Sequence, residues 1–187
     1  MKDVLTSLRL LVLSLLVCSV LYPLAVLAFA KTVVPEQSAG SLLTDERGTV
    51  IGSRLLAQAF TRPEYFWPRP SAVDYHASAT GGSNLSPANP RIAERAQIIL
   101  ARFSLGNEGP LPADLVLASG SGMDPHITRN AAQVQMPRVA AVRGLTEEAV
   151  QTLIDQSADS PLLVALGETP LINVLELNRA LDRLTGK

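Results

Sequence analysis

Three residue types of a serine-hydrolase triad occur close together in this chain, at Ser121, Asp124 and His126. The members of such a triad usually come from separate elements of the fold, so that the base can reach the nucleophile. A stretch of six residues does not offer that geometry, and Asp124 before Pro125 is more typical of a helix start. We therefore expect no catalytic residue here. A hydrolase that uses Ser121 and His126 remains the alternative enzymatic interpretation.

Metal chemistry has equally little support in the sequence. The chain has two histidines, His76 and His126, and one cysteine, Cys18. A protein metal site needs three or four ligands that converge, and the pair Asp124 and His126 is only a fragment of one. Cys18 has no second cysteine with which to form a disulfide. The sequence predicts no metal site and no resident cofactor.

A glycine-rich turn, Gly81-Gly82-Ser83-Asn84, is the one motif with a possible link to phosphate. Such turns bind phosphate when they lead directly into a helix. This turn has no P-loop lysine, and two prolines intervene before the next helix start. We interpret it as a turn rather than a nucleotide-binding loop.

Aromatic residues are concentrated in one short region, where Tyr65, Phe66 and Trp67 are consecutive and Arg69 follows. Neighbouring side chains of an extended chain point in opposite directions, so the three rings cannot all enter one core. At least one ring should therefore face outward. We hypothesise that Tyr65, Phe66, Trp67 and Arg69 bind a partner. The alternative is that an irregular turn lets all three rings cover the domain's own core.

The element that constrains the rest of the molecule is an uncharged run of 21 residues, Leu10 to Ala30, between Arg9 and Lys31. As a helix it is roughly 31 Å long, which matches the hydrocarbon core of a bilayer. A cleaved signal peptide is the alternative, but the apolar cores of signal peptides are shorter, about 7–15 residues. We favour a retained transmembrane helix.

The charges beside this run predict the topology. Lys2 and Arg9 precede the run, so residues 1–9 are expected in the cytoplasm and residues 10–30 in the membrane. Residues 31–40 are predicted to be a linker, and residues 41–187 a single external domain, which would be periplasmic in a two-membrane bacterium. The whole chain has a formal net charge of −1, which gives no basic surface for nucleic acid.

Turn and capping signals predict the elements that carry these residues. Apolar runs at 41–44 and 49–51 flank Gly48 and predict a hairpin. Five prolines between residues 61 and 90 predict a long irregular segment, after which Asn89 and Pro90 begin a helix.

Further along, residues 115–117 are predicted to form a short strand. Asp124 should begin another helical region, which Pro137 should split into two short helices. Helices are also predicted to begin at Thr146 and at Asn173. With so few and such short strands, the predicted class is α+β, preceded by one transmembrane helix.

Several of these segments, taken in order, resemble the C subunit of the bacterial high-affinity potassium-transporting P-type ATPase, the Kdp complex. The matching stretches are 52–58, 65–72, 81–85, 89–90, 119–127, 138–140 and 173–178. Thr80, Ser86 and Met123 depart from the family pattern, where we would expect Ser, Gly and Leu.

The resemblance implies an accessory subunit without catalytic activity, which supports assembly of an ATP-driven potassium uptake complex. Its implied partners are a channel-like potassium-translocating subunit and an ATP-hydrolysing subunit. By the family description it raises the nucleotide affinity of the latter, with Gln58 or the loop that contains Gly81, Gly82, Ser83 and Asn84 as the implied contacts. ATP would thus be bound by the partner subunit. Because the domain is expected outside the cytoplasm, we expect any effect on ATP to be indirect. A stand-alone, membrane-anchored binding module is the remaining alternative.

Overall fold

The chain divides into two compact units, Met1–Ser53 and Arg54–Lys187. The computed structural model describes residues 2–45, 47–103, 110–158 and 169–186. The first unit contains the apolar segment and a hairpin. The second contains the aromatic segment and the other residues to which the sequence assigns a role.

The apolar segment is helical from Lys2 to Val33 and has the length and composition of a membrane span, criteria that a signal sequence near the N-terminus also meets. It comprises α1 (Lys2–Leu15), a π-helical turn (Leu16–Leu21) and α2 (Tyr22–Val33). The π turn ends two residues before Pro23, which has no N–H to donate. A wider turn at this point accommodates a residue that cannot continue the α-helical ladder.

The first unit ends in the predicted hairpin, which is confirmed. After the short helix α3 (Pro35–Ser38), strand β1 (Leu42–Thr44) pairs antiparallel with β2 (Val50–Ser53). The Asp45 carboxylate accepts hydrogen bonds from two backbone N–H groups inside the turn. Gly48 closes the turn with a φ of 78°, a conformation that favours glycine. The predicted domain boundary at residue 41 stays a prediction.

The second unit has the small α+β architecture that the sequence predicts, with few and short strands. A long irregular segment, as predicted, connects β2 to the first helix of this unit. The elements that follow are α4 (Pro90–Phe103), α5 (Ala113–Val116), β3 (His126–Thr128), α6 (Arg129–Arg143), α7 (Glu147–Ser157), β4 (Leu171–Asn173) and α8 (Val174–Leu184).

The core of this unit forms where α6, α7 and α8 pack around the β3–β4 pair. Strand β3 runs antiparallel to β4, with Ile127 opposite Ile172, and both side chains are buried. Val150 and Ile154 of α7 and Leu177 of α8 complete the centre of the core. Because α6 and α8 each follow a strand of this pair directly, the pairing fixes where both helices begin.

Helix caps agree with the local sequence signals. The side chain of Asn89 accepts a hydrogen bond from the Arg91 N–H at the start of α4. Thr146 caps α7, and the Asn173 side chain accepts from two N–H groups at the start of α8. These predictions succeed because a cap is satisfied within three residues of itself.

Two other predictions are wrong. Residues 115–117 were expected as a strand, but α5 is a single helical turn that begins after Pro112. Residues from Asp124 were expected to begin a helix, but His126–Thr128 form β3 and the helix begins at Arg129, capped by Thr128. In both cases a distant partner overrides the local pattern, because Asp114 accepts from the Thr128 N–H and β4 pairs with β3.

The predicted break at Pro137 is also wrong, since α6 is one helix that ends at Arg143 and is capped by Gly144. A proline inside a helix costs roughly 3 kcal/mol. Buried residues on both sides of it, Ala132 and Val139 among them, anchor α6 to the core. Tertiary packing of this kind, rather than intrinsic propensity, supplies most helix stability in proteins.

Candidate functional site

The aromatic segment is held by two buried side-chain amides. The Phe66 N–H donates to Asn178 Oδ1 over 2.9 Å, and Asn178 Nδ2 donates back to the Phe66 carbonyl over 3.0 Å. Gln135 makes the same pair of bonds to Trp67, over 2.7 and 3.1 Å. Both amides are at most 1% exposed. They satisfy this backbone as a neighbouring strand would, although each belongs to a helix.

The three consecutive rings take different directions from this backbone. Phe66 is completely buried in the core, whereas Tyr65 and Trp67 are half-buried. Neither of these two rings is among the exposed large hydrophobic side chains of the chain. The structure thus distributes the rings between the core and the surface layer. The role of Tyr65, Phe66, Trp67 and Arg69 in partner binding stays a prediction.

Arginines surround the two half-buried rings. The guanidinium carbons of Arg102 and Arg138 lie 4.2 and 3.7 Å from the centroid of the Trp67 ring. Those of Arg62 and Arg143 lie 5.0 and 4.8 Å from the centroid of the Tyr65 ring. At these distances a cation is attracted to the electron-rich face of the ring.

A cavity of about 200 Å³ opens beside Trp67. Its walls include the rings of Phe60, Tyr75 and Phe103, together with the side chain of Arg102. Burial raises the pKa of the Tyr75 hydroxyl, which donates a hydrogen bond to the Arg69 carbonyl. The cavity thus has aromatic walls, and Arg102 is the charged residue among those lining residues that the structure describes.

Arg69 points towards the segment 119–126 rather than towards the Trp67 ring. Its Nη1 lies 3.0 Å from Asp124 Oδ2. The Ser119 N–H donates to the Pro70 carbonyl, and the Ser71 hydroxyl donates to the Gly122 carbonyl. Three contacts thus bind the end of the aromatic segment to this loop, so Arg69 has a demonstrable structural task.

The glycine-rich turn packs against the same loop. The Gly81 N–H donates to the Ser121 carbonyl over 2.8 Å. A Cβ on Gly82 would lie 2.8 Å from the Gly120 carbonyl oxygen, so only glycine allows this approach. Gly122 has a φ of 71°, and a Cβ there would lie 2.7 Å from the Gly81 carbonyl oxygen. The glycines therefore serve a close approach of two backbone segments.

The backbone next to Gln58 also contacts this loop. Its neighbour Ala57 donates its N–H to the Met123 carbonyl over 2.9 Å. The structure thus brings the backbone beside Gln58, and the turn that holds Gly81, Gly82, Ser83 and Asn84, onto the one loop 119–124. The two segments implied by the family resemblance are spatial neighbours of a common element. Their relation to nucleotide stays a prediction.

The three triad-type residues have structural partners in this loop. Asp124 Oδ1 lies 3.2 Å from His126 Nδ1 and also accepts the His126 backbone N–H. The bond to His126, assisted by Arg69, lowers the pKa of Asp124 to about 2. The Ser121 hydroxyl oxygen accepts from the Met123 N–H and lies 3.2 Å from that of Ser119. These contacts stabilise a turn.

Comparison with known proteins agrees with the resemblance seen in the sequence. Residues 4–183 match the family described as KdpC: K+-transporting ATPase, c chain. The chain belongs to this family. It is 47% identical, over 98% of both chains, to the potassium-transporting ATPase KdpC subunit of Parvibaculum lavamentivorans. The subunit of the same name from Geobacter sulfurreducens is 46% identical over 98% of this chain and 99% of its own. That of Pseudomonas entomophila is 44% identical over 95% and 93%.

Family membership confirms the identification made from the sequence segments and makes the chain a potassium-transport subunit. It does not by itself point to Gln135, Arg138 or Arg102, which sequence reasoning missed. A signal for Asn178 was present, since it is a polar residue on the apolar face of α8. Gln135 and Arg138 lie three residues apart on α6, but nothing local indicates that residues 63–67 are their partners.

Proposed function

We propose that this chain is an accessory, non-catalytic subunit that supports the assembly and stability of a potassium-transporting ATPase. The observation that carries the proposal is the family match over nearly the whole chain, together with a helix that has the composition of a membrane span. The name shared by its relatives denotes a subunit of such an ATPase. The partners we propose are the channel-like potassium-translocating subunit and the ATP-hydrolysing subunit.

The absence of catalysis is part of this proposal. It is supported by the structural tasks of Ser121, Asp124 and His126, which close a turn and fix its orientation. Among the residues that the structure describes, no three His, Cys, Asp or Glu side chains form a group that could hold a metal ion. Ser121→Ala and His126→Ala should therefore leave potassium-limited growth intact, provided that each variant folds. Loss of ester or peptide hydrolysis by the purified chain in either stable variant would favour the hydrolase instead.

We also propose that residues 10–30 span the inner membrane with the N-terminus in the cytoplasm and the folded domain in the periplasm. Lys2 and Arg9 before the apolar run support this orientation. Alkaline phosphatase, which is active only outside the cytoplasm, should be active when fused after Lys187. An inactive phosphatase, together with an active cytoplasmic reporter at the same position, would contradict this topology.

The effect on nucleotide is proposed to be indirect. A periplasmic domain cannot reach a cytoplasmic ATP site, so the chain would raise nucleotide affinity through the subunits that cross the membrane. Complexes purified with and without the chain should therefore differ in the ATP concentration that half-saturates hydrolysis. Alanine substitutions at Gln58 and Asn84 should leave that concentration unchanged. A shift caused by these two substitutions in an assembled complex would instead favour direct contact.

A further inference from the structure

The charges around the two half-buried rings are not balanced equally. Beside Tyr65, Arg62 pairs with Glu64 over 3.3 Å, and Arg143 pairs with Asp182 over 2.7 Å. Beside Trp67, neither Arg102 nor Arg138 forms an ion pair with any residue in the part of the chain that the structure describes. The two arginines beside Trp67 therefore carry positive charge that no described acidic residue compensates.

The contacts of Arg138 show how fixed this charge is. Its guanidinium donates to the carbonyls of Pro63 and Tyr65 and to Gln135 Oε1, which are all neutral acceptors. Its Nε is buried and has no hydrogen-bond partner among the residues that the structure describes. Burial, and then the nearby charge of Arg102, lower the pKa of Arg138 to about 10, which still leaves it protonated at neutral pH. A partly desolvated cation held in place by neutral groups attracts an anion strongly.

Arg102 supplies the accessible part of this charge. It is exposed, it lies against the same ring as Arg138, and it lines the cavity beside Trp67. With a volume of about 200 Å³, the cavity is smaller than a site for a drug-sized ligand. Aromatic and aliphatic walls with one guanidinium match a carboxylate on a short apolar stem.

We infer that the surface formed by Trp67, Arg102 and Arg138, which we call the Trp67 site, binds an acidic side chain of a companion subunit of the ATPase. The inference rests on the proposed function and gives the chemistry of one contact in the assembly. Arg102 would pair with the carboxylate, and Arg138 would add its charge from its position against the same Trp67 ring. The apolar walls and the small volume favour a protein side chain over a phospholipid phosphate, because a phospholipid headgroup is larger and more strongly hydrated.

A cross-linking experiment tests this contact directly. In the assembled complex, Arg102→Lys places an amine at the Trp67 site, and a zero-length carbodiimide joins an amine only to a carboxylate in contact with it. Arg91→Lys is the matched control, because Arg91 is also exposed on α4 but does not line the cavity. We expect mass spectrometry to find position 102, and not position 91, joined to an Asp or Glu of a companion subunit.

Two results of this experiment would overturn the inference. They are no cross-link from position 102 above the Arg91→Lys control, and a cross-link only to an acidic residue of the same chain.

Charge reversal separates this inference from the proposed function. Arg102→Glu should reduce recovery of the complex by roughly tenfold, whereas Arg91→Glu should not, because close charge pairs at interfaces are strongly coupled. The loss should be the same in nanodiscs of phosphatidylcholine alone and with added phosphatidylglycerol. A loss confined to discs with the anionic lipid would identify a lipid phosphate and contradict the inference.

If the wild-type chain assembled but Arg102→Glu assembled equally well, only the inference would fail. If the wild-type chain recovered no companion, the proposed function itself would fail.

Discussion

At the scale of single residues, the backbone of the aromatic segment is hydrogen-bonded by two side-chain amides instead of by a neighbouring strand. Asn178 and Gln135 bond both the N–H and the carbonyl of Phe66 and Trp67. A buried polar group that loses its partner costs about 1–3 kcal/mol. Removing either amide would leave two backbone groups without a partner in the interior, so both residues are expected to matter more than their size implies.

Asn178→Leu should therefore destabilise the chain by about 2–4 kcal/mol, because Leu fits the volume but offers no hydrogen bond. Asn130→Leu is the control, since Asn130 is exposed near the start of α6. Chemical unfolding of the two purified variants and the wild type measures the difference. Equal stability of Asn178→Leu and wild type would show that these amide bonds contribute nothing to the fold.

Asp124 should make the stability of the folded chain depend on pH in the acidic range. Its pKa is lowered from 3.8 to about 2, mainly by the hydrogen bond to His126 and, to a smaller extent, by Arg69. A carboxyl whose pKa is lowered on folding stabilises the protein above its unfolded pKa. That stabilisation is lost as pH falls through the folded value, so the window lies between about pH 4 and pH 2.

Asp124→Asn should remove this pH-dependent stabilisation. The wild type should be more stable than the variant at about pH 5, and the advantage should shrink by about 1 kcal/mol towards pH 2, after allowance for solvent screening. Urea unfolding at the two pH values measures it. A constant difference between the two proteins at both pH values would mean that Asp124 does not titrate in this range.

At the scale of elements, the loop 119–124 organises the site, because the segments around residues 57, 70 and 81 all bond to it. Sequence signals predicted the elements whose start or end is satisfied locally, such as α7 and the β1–β2 hairpin. They failed for β3 and α5, whose conformation is set by Leu171–Asn173 and by the bond between Asp114 and Thr128. A local pattern does not contain information about partners 14 or more residues away.

Two glycines with similar backbone conformations allow a matched test of this packing. Gly122 and Gly144 have φ values of 71° and 66°, but only at Gly122 would a Cβ meet other atoms. Gly144→Ala should cost about 1 kcal/mol from the left-handed conformation alone. Gly122→Ala should cost about 2–4 kcal/mol, because the new methyl group also collides with Gly81 and Val73. Unfolding free energies of the two variants check the comparison, and equal costs would show that the close approach is not rigid.

At the scale of the whole molecule, sequence segments in order behind one apolar helix were enough to identify the family, and the few short predicted strands were enough to predict the α+β class. They did not reveal the Trp67 site. Its cations come from α4 and α6 and its ring from the irregular segment, so the site exists only after these parts pack together. The sequence did indicate Tyr65, Trp67 and Arg69 as part of an unusual cluster that could bind a partner. The uncompensated charge beside them is a property of the folded domain.

The apolar helix and the folded domain are both proposed to contribute to assembly with the ATPase. Helices in lipid associate through close packing, and confinement to the membrane also raises the effective concentration of the two partners. A chain that lacks residues 1–30 should therefore recover less of the complex than the full chain. Equal recovery would show that neither helix packing nor confinement to the membrane contributes to assembly.

Co-purification from native membranes tests the central claim most directly. The full chain, tagged after Lys187 and expressed in place of the wild type in potassium-limited cells, is isolated in mild detergent. Mass spectrometry then identifies the proteins that accompany it. The account predicts that the potassium-translocating and ATP-hydrolysing subunits are recovered together with the chain. Recovery of the chain without either subunit, from cells that contain both, would contradict it.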